Sequence, residues 1–152
     1  MAHFRETIDL VAYLREVLVD LESAVLPSRL HFAAPEEIQY SADRAILVAL
    51  IINELVSNAG KYAYPGRSEG PIWVEIVRKD AGTIQVSVRD EGIGLPAGFD
   101  PATSKRLGTR LINALSKQLD AELARPSGGI GTCFTMLVPL ERVGAHALPA
   151  PV

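Results

Sequence analysis

The sequence predicts an α+β fold, a two-layer sandwich with helices packed on one face of a mixed β-sheet. Three observations predict it. Helix-like and strand-like segments are partly segregated, in the order helix, short strands, helix, hairpin, loop, helix, hairpin. The strand over Thr83–Asp90 places Ile84, Val86 and Val88 on one face and Gln85, Ser87 and Arg89 on the other, so one side of the sheet is buried and the other is polar or covered differently. The helices carry an apolar stripe along one side, which must be covered by another layer.

The first helix runs from Asp9 to about Val25, with Leu10, Leu14, Val17, Leu18 and Leu21 at helical spacing. Asp9 or Thr7 is its cap, and Pro27 stops it. Short β-like pieces follow at Arg29–Ala33 and near Ile38–Tyr40. Ser41 then caps the strongest helix, which runs to about Tyr62 and buries Val48, Ile51, Ile52, Leu55 and Ala59. Asp43 sits in its first turn, where the helix dipole favours an anion, and Pro65-Gly66 ends it. Strands at Ile72–Lys79 and Thr83–Asp90 flank the turn Asp80-Ala81-Gly82. Residues 91–106 show no periodicity and hold three glycines and two prolines, Pro96 and Pro101, so they form a long loop of the kind that often carries function. A helix follows from Leu107 to about Leu119, with Leu107, Leu111, Ala114, Leu115 and Leu119 on one side. The last hairpin pairs Glu122–Arg125 with Thr132–Pro139 across a glycine-rich turn at Ser127–Gly131.

The chain of 152 residues is a natural size for one domain. Its apolar share of 48% supports a core, and its charged share of 22% is near average. A net charge of −3 provides no global basic field for nucleic acid. One cysteine, Cys133, excludes an internal disulfide framework, fits a reducing compartment, and is expected as a small buried strand residue. No stretch reads as a membrane span, and Met1–Glu6 lacks a signal peptide's basic and apolar regions. The expectation is a cytoplasmic domain that touches neither membrane nor nucleic acid.

Three groups of residues carry chemistry. On the long helix, Glu54 and Asn58 are four apart and share a face that continues through Lys61 and Tyr62. A carboxamide oxygen suits Mg²⁺, a carboxylate beside it orients water or takes a proton, and Lys61 reaches a phosphate. The same pattern also fits a solvated polar face. At the end of a half-buried strand, Asp90 can accept a hydrogen bond from an exocyclic amine such as that of adenine. Gly92 and Gly94 allow positive φ and close approach of a flat ligand, although an Asp-x-Gly-x-Gly turn is common by chance. The free N–H groups of Gly108, Thr109 and Arg110 at a helix start make an anion site, with Lys105, Arg106 and Arg110 adding positive charge. Solvated basic residues beside a loop are the alternative.

In order and spacing these groups resemble the ATP-binding domain of sensor histidine kinases, within the ATPase group that includes gyrase, Hsp90 and MutL. Residues 53–63, Asn-Glu-Leu-Val-Ser-Asn-Ala-Gly-Lys-Tyr-Ala, are similar to the N-box. Asp90–Pro96 is similar to the G1 box, Leu107–Ile112 to the G2 box, and Gly131-Thr132-Cys133-Phe134 to the closing Gly-Thr strand. The resemblance spans about Thr7 to Leu140, and Ile8–Arg15 with Gln118-Leu119 is most similar to the short-lid, HWE-like subgroup of bacterial two-component systems. It implies the Bergerat ATP-binding fold with ATP and Mg²⁺. Asn58 would bind the metal, Glu54 would be the acid/base or water-orienting residue, and Asp90 would read adenine with Thr132 helping to hold it. Residues 95–107 would form the lid, and Leu111 would belong to the G2 segment. The chain departs from the pattern at Tyr62, where His is frequent, at Gly60 in mid-helix, and at Arg106 and Thr109.

The resemblance also implies what lies elsewhere. His3, His31 and His146 are not placed as a phosphoacceptor. A histidine-containing dimerisation domain, missing from this chain or acting in trans, would supply the nucleophile, with a response regulator downstream. The expected organisation is an N-terminal helix over 1–26 at the end of a linker from that domain, an ATPase domain over 27–142, and a disordered tail over 143–152. The alternatives are a binding module with a degenerate ATPase-like domain, which should have lost Asn58 or Asp90, and a serine kinase of the anti-sigma-factor kind.

Overall fold

The computed structural model describes residues 6–64, 70–94, 107–124 and 131–140. The helix stop at Pro65-Gly66, the loop from Leu95 through Lys105 and Arg106, most of the second hairpin turn and the C-terminal tail lie outside the described residues. The elements are β1 (Thr7–Asp9), α1 (Leu10–Val25), β2 (Arg29–Ala33), β3 (Gln39–Ser41), α2 (Ala42–Tyr62), β4 (Pro71–Asp80), β5 (Thr83–Asp90), α3 (Leu107–Gln118), β6 (Glu122–Leu123) and β7 (Thr132–Pro139).

Five strands form one mixed sheet in the order β2-β4-β5-β7-β6. β2 runs parallel to β4, and the remaining pairs are antiparallel. Its helix-facing side carries Ile72, Val74, Ile76, Ile84, Val86, Val88, Met136 and Val138, all buried. The other side carries a row in register across four strands, His31, Trp73, Arg89 and Cys133. There the Arg89 guanidinium lies 3.9 Å from the Trp73 ring centroid and the His31 and Trp73 rings stack at 5.7 Å. Cys133 is in a strand, as expected, but half-buried rather than buried, because its side chain belongs to this outer row.

A short strand pair, β1 with β3, clamps the entry to the first two helices. Asp9 caps α1 by accepting from Val11 N–H at 3.0 Å, and the same Oδ1 accepts from Ile38 N–H at 3.1 Å. Ser41 occupies the N-cap of α2 in extended conformation without a side-chain cap bond. α1 buries Leu10, Val11, Leu14, Leu18, Leu21 and Val25 in the same core as α2. The mid-helix Gly60 lets the two helices close, since a Cβ there would sit 2.9 Å from Cγ1 of Val25.

α2 is long and apolar enough, by length and composition, to cross a membrane, contrary to the expectation that no stretch is. Here it is the central core helix, burying Val48, Ile51, Ile52, Leu55, Val56 and Ala59 as well as the charged Arg44. The Arg44 guanidinium donates from Nη2 to the Leu119 carbonyl at the end of α3 and lies 5.4 Å from the Tyr40 ring.

The buried stripe of α3 is Thr109, Ile112, Leu115 and Ser116, continued by Leu119 just after the helix. Leu111 and Ala114, expected on that stripe, are exposed. Steps of three and four residues from Ile112 lead to Leu115, Ser116 and Leu119 and leave positions 111 and 114 on the flank.

Candidate functional site

Between α2, the ends of β5 and β7, and the start of α3 lies a cavity of about 550 Å³, within the range of roughly 300–1,000 Å³ typical of small-molecule sites. One wall is the flank of α2. Because Ile51, Ile52, Leu55 and Ala59 face the core, helical spacing carries Glu54, Asn58, Lys61 and Tyr62 onto the neighbouring strip, and all four line the cavity. Glu54 and Asn58 are half-buried, while Lys61 and Tyr62 are exposed at the mouth. Leu55, Ala59, Val88, Ile112, Leu123 and Phe134 supply apolar walls.

The opposite wall follows from strand periodicity. Asp90 is two residues beyond Val88 on the buried face of β5, so its carboxylate enters the helix-facing layer. It is 6% exposed. Its Oδ1 accepts from Gly92 N–H at 2.9 Å and from Thr132 N–H at 3.2 Å, and among the described residues Oδ2 accepts no hydrogen bond. Burial raises its pKa above the usual carboxylate value, with the two amide hydrogen bonds pulling the other way. A desolvated acid at a cavity wall with one unused acceptor is a binding group for a donor ligand.

Two close approaches and one positive φ fix the loop after Asp90. Ile93 N–H donates to the Ala63 carbonyl at 2.8 Å. Gly92 lies so close to that carbonyl that a side chain would overlap it. Gly94 has φ +78° and lines the cavity. Positive φ thus applies to Gly94 alone of the two loop glycines, while Gly92 serves close packing. Immediately before β7, Gly131 has φ +79° and backs onto the Asp90 carbonyl without room for a Cβ.

The start of α3 meets the acid-amide pair. A Cβ on Gly108 would stand 2.6 Å from Glu54 Oε2 and 3.9 Å from Asn58 Nδ2. The first-turn amides of this helix of 12 residues, which have no partner within the helix, therefore lie beside Glu54 and Asn58, and Gly108 and Thr109 line the cavity.

The structure thus gathers Glu54, Asn58, Lys61, Tyr62, Asp90, Gly94, Gly108, Thr109 and Thr132 around one cavity, with Gly92 tied to Asp90 behind it. It does not bring Arg110 or Leu111 to the lining; both are exposed. Lys105 and Arg106 lie outside the described residues. Among the described residues no three or more His, Cys, Asp or Glu side chains gather as a metal cage. Sequence reasoning missed Tyr64, whose hydroxyl accepts from Glu91 N–H; a lone aromatic residue after a helix carries no signal for a contact 27 residues away.

Comparison with known proteins places the chain in a family. The model of the histidine kinase-, DNA gyrase B- and HSP90-like ATPase family matches residues 43–142. The sensor histidine kinase PdtaS of Mycobacterium tuberculosis is 37% identical over 106 residues, which cover 68% of this chain and 21% of that protein. Blue-light-activated histidine kinase 2 of Erythrobacter litoralis is 30% identical over 95 residues, covering 62% of this chain and 28% of that protein. The solved histidine kinase domain of the Erythrobacter litoralis EL346 blue-light activated kinase superposes with a TM-score of 0.81 at 25% identity, over 92% of this chain and 65% of that one. The chain spans under a third of the length of these two curated relatives.

Proposed function

The chain belongs to the histidine kinase-, DNA gyrase B- and HSP90-like ATPase family, and from that premise we propose that it is the ATP-binding catalytic domain of a two-component sensor histidine kinase. It would transfer the γ-phosphate of Mg-ATP to a histidine on another domain. The observation that carries the reading is that Glu54 and Asn58 face Asp90 across a single cavity closed at one end by the first turn of α3.

Asp90 holds its backbone amides through Oδ1, which leaves Oδ2 to accept the exocyclic amine of adenine. The apolar walls, Leu55 and Ile112 among them, cover the ring faces. Amides of Gly108 and Thr109 receive phosphate oxygens, favoured by the α3 dipole, and Lys61 pairs with phosphate charge from the mouth. The donor set fits Mg²⁺. The Asn58 carboxamide is a hard oxygen ligand, and with no carboxylate cage among the described residues the ion would take its remaining ligands from phosphate oxygens and water. When bound, the ion neutralises charge on the transferring phosphoryl group. Glu54, beside the phosphate end of the cavity, takes the proton of the incoming imidazole, and fixed placement of both reactants supplies most of the remaining acceleration.

The nucleophilic histidine comes from a dimerisation domain outside this chain or in trans, and a response regulator receives the phosphoryl group afterwards. The proposed location is the cytoplasm, where ATP would be available to the site. The test is incubation of the chain with γ-labelled ATP and a histidine-containing helical hairpin domain. Acid-labile, base-stable label on the hairpin is expected. Acid-stable label would indicate a serine kinase, and loss of nucleotide binding altogether would indicate a degenerate binding module.

A further inference from the structure

Asp90 is held from outside the cavity as well as from within it. Tyr64 stands two residues beyond α2 and does not line the cavity. Its hydroxyl donates to the Pro71 carbonyl at 2.6 Å and accepts from Glu91 N–H at 2.9 Å. Pro71 immediately precedes Ile72, the register partner of Asp90, and Glu91 immediately follows Asp90. One hydroxyl therefore bolts together the ends of β4 and β5 at the rung that carries the carboxylate. Gly70 lies against the face of the Tyr64 ring, where a Cβ would overlap Cζ and both Cε atoms, so the ring has a fitted seat. Burial raises the phenol's pKa, and the group stays a protonated donor at neutral pH.

We propose that Tyr64 is a positioning residue for base recognition: it fixes the Asp90 carboxylate, and through it the preference for a purine carrying a 6-amino group, without touching the nucleotide. Phenylalanine would keep the ring in its seat but remove both hydrogen bonds. Glu91 N–H is at the surface and would turn to water, so the domain would remain folded while the end of β5 loosened. The inference rests on the nucleotide-site reading above.

The experiment is calorimetric titration of the parent chain and Tyr64→Phe with two ligands, ADP and purine riboside 5′-diphosphate, which lacks the 6-amino group. The parent is expected to bind ADP more tightly than the analogue. Tyr64→Phe should weaken ADP by about three- to tenfold, the size of one or two lost hydrogen bonds transmitted to the base contact, and leave the analogue nearly unchanged. The ratio of the two affinities then shrinks by that factor. A merely structural role would weaken both ligands alike and preserve the ratio, which would overturn the proposal, as would an unchanged ADP affinity. If Tyr64→Phe fails to fold, Gly70→Ala, which displaces the ring instead of removing the hydroxyl, carries the same comparison. A parent that binds neither ligand refutes the nucleotide reading itself, whereas a parent that binds both equally refutes only the role of Asp90 and, with it, that of Tyr64.

Discussion

Replacing Asp90 with asparagine separates binding from stability at the centre of the site. Oδ1 accepts two backbone amides, from Gly92 at 2.9 Å and Thr132 at 3.2 Å, and the asparagine oxygen can keep both. The second oxygen becomes an NH₂ donor and meets the adenine amine donor to donor. A hydrogen bond to a charged acceptor contributes about 1.5–3 kcal/mol, so ADP affinity should fall about 10- to 140-fold at 1.4 kcal/mol per decade. Stability should move the other way. Asp90 is 6% exposed, and burial raises its pKa above the ordinary 3.8. A carboxyl whose folded pKa is raised favours folding fully below its unfolded pKa, and that contribution is lost as pH rises through the folded value. At neutral pH the charge is a burden that asparagine removes, so Asp90→Asn should melt at the parent temperature or above it at pH 7. That advantage should vanish as pH falls below the raised pKa. Thermal melts at pH 7 and pH 4 with ADP calorimetry at pH 7 decide the matter. A variant that loses several degrees at pH 7 while keeping ADP affinity would refute the reasoning.

Other perturbations probe the remaining walls. Asn58→Ala should abolish the difference between ADP affinities measured with and without Mg²⁺, because no carboxylate cage among the described residues can substitute for the carboxamide; titrations with and without a chelator read this directly. Gly108→Ala places a Cβ 2.6 Å from the movable Glu54 Oε2. It should leave the melting temperature unchanged or raise it, since Ala is the better helix former by about 1 kcal/mol, while weakening ADP in the same calorimeter. Gly131→Ala forces φ +79° on a residue with a side chain and drives its Cβ into the Asp90 backbone. The loss should exceed about 1–3 kcal/mol in urea unfolding, with nucleotide binding lost alongside. Lowering the pH through the raised pKa of Asp90 should weaken ADP binding in the parent as the acceptor is protonated, and the Asp90→Asn profile should be flatter over the same range.

Most of the site was legible because it is written in two local periods. Helical spacing from Leu55 and Ala59 delivers Glu54, Asn58, Lys61 and Tyr62 to one flank of α2, and strand alternation from Ile84 through Val88 delivers Asp90 to the helix-facing layer. The helix start at Leu107 likewise placed Gly108 and Thr109. What escaped was non-local. The strand β1 has three residues and exists only because β3 pairs with it. Arg44 is charged by sequence, yet the end of α3 buries it by offering the Leu119 carbonyl 75 residues away. Leu111 is apolar by type, whereas the phase of that helix is set by Ile112, Leu115 and Leu119 against the core. Tyr64 reads as a surface aromatic until the sheet brings Glu91 and Pro71 to its hydroxyl. Local pattern specifies faces, and only the assembled sheet specifies which faces meet.

The central claim is that the acid-amide flank of α2 and the carboxylate of β5 bind one nucleotide between them. Backbone amide NMR of the chain titrated with Mg-ADP tests it most directly. The account predicts the largest shifts at Asn58, Gly92, Gly108 and Thr132, with little change around Arg44 and Leu119 at the other end of α3. Shifts confined to that far end, or none at millimolar nucleotide, would contradict it.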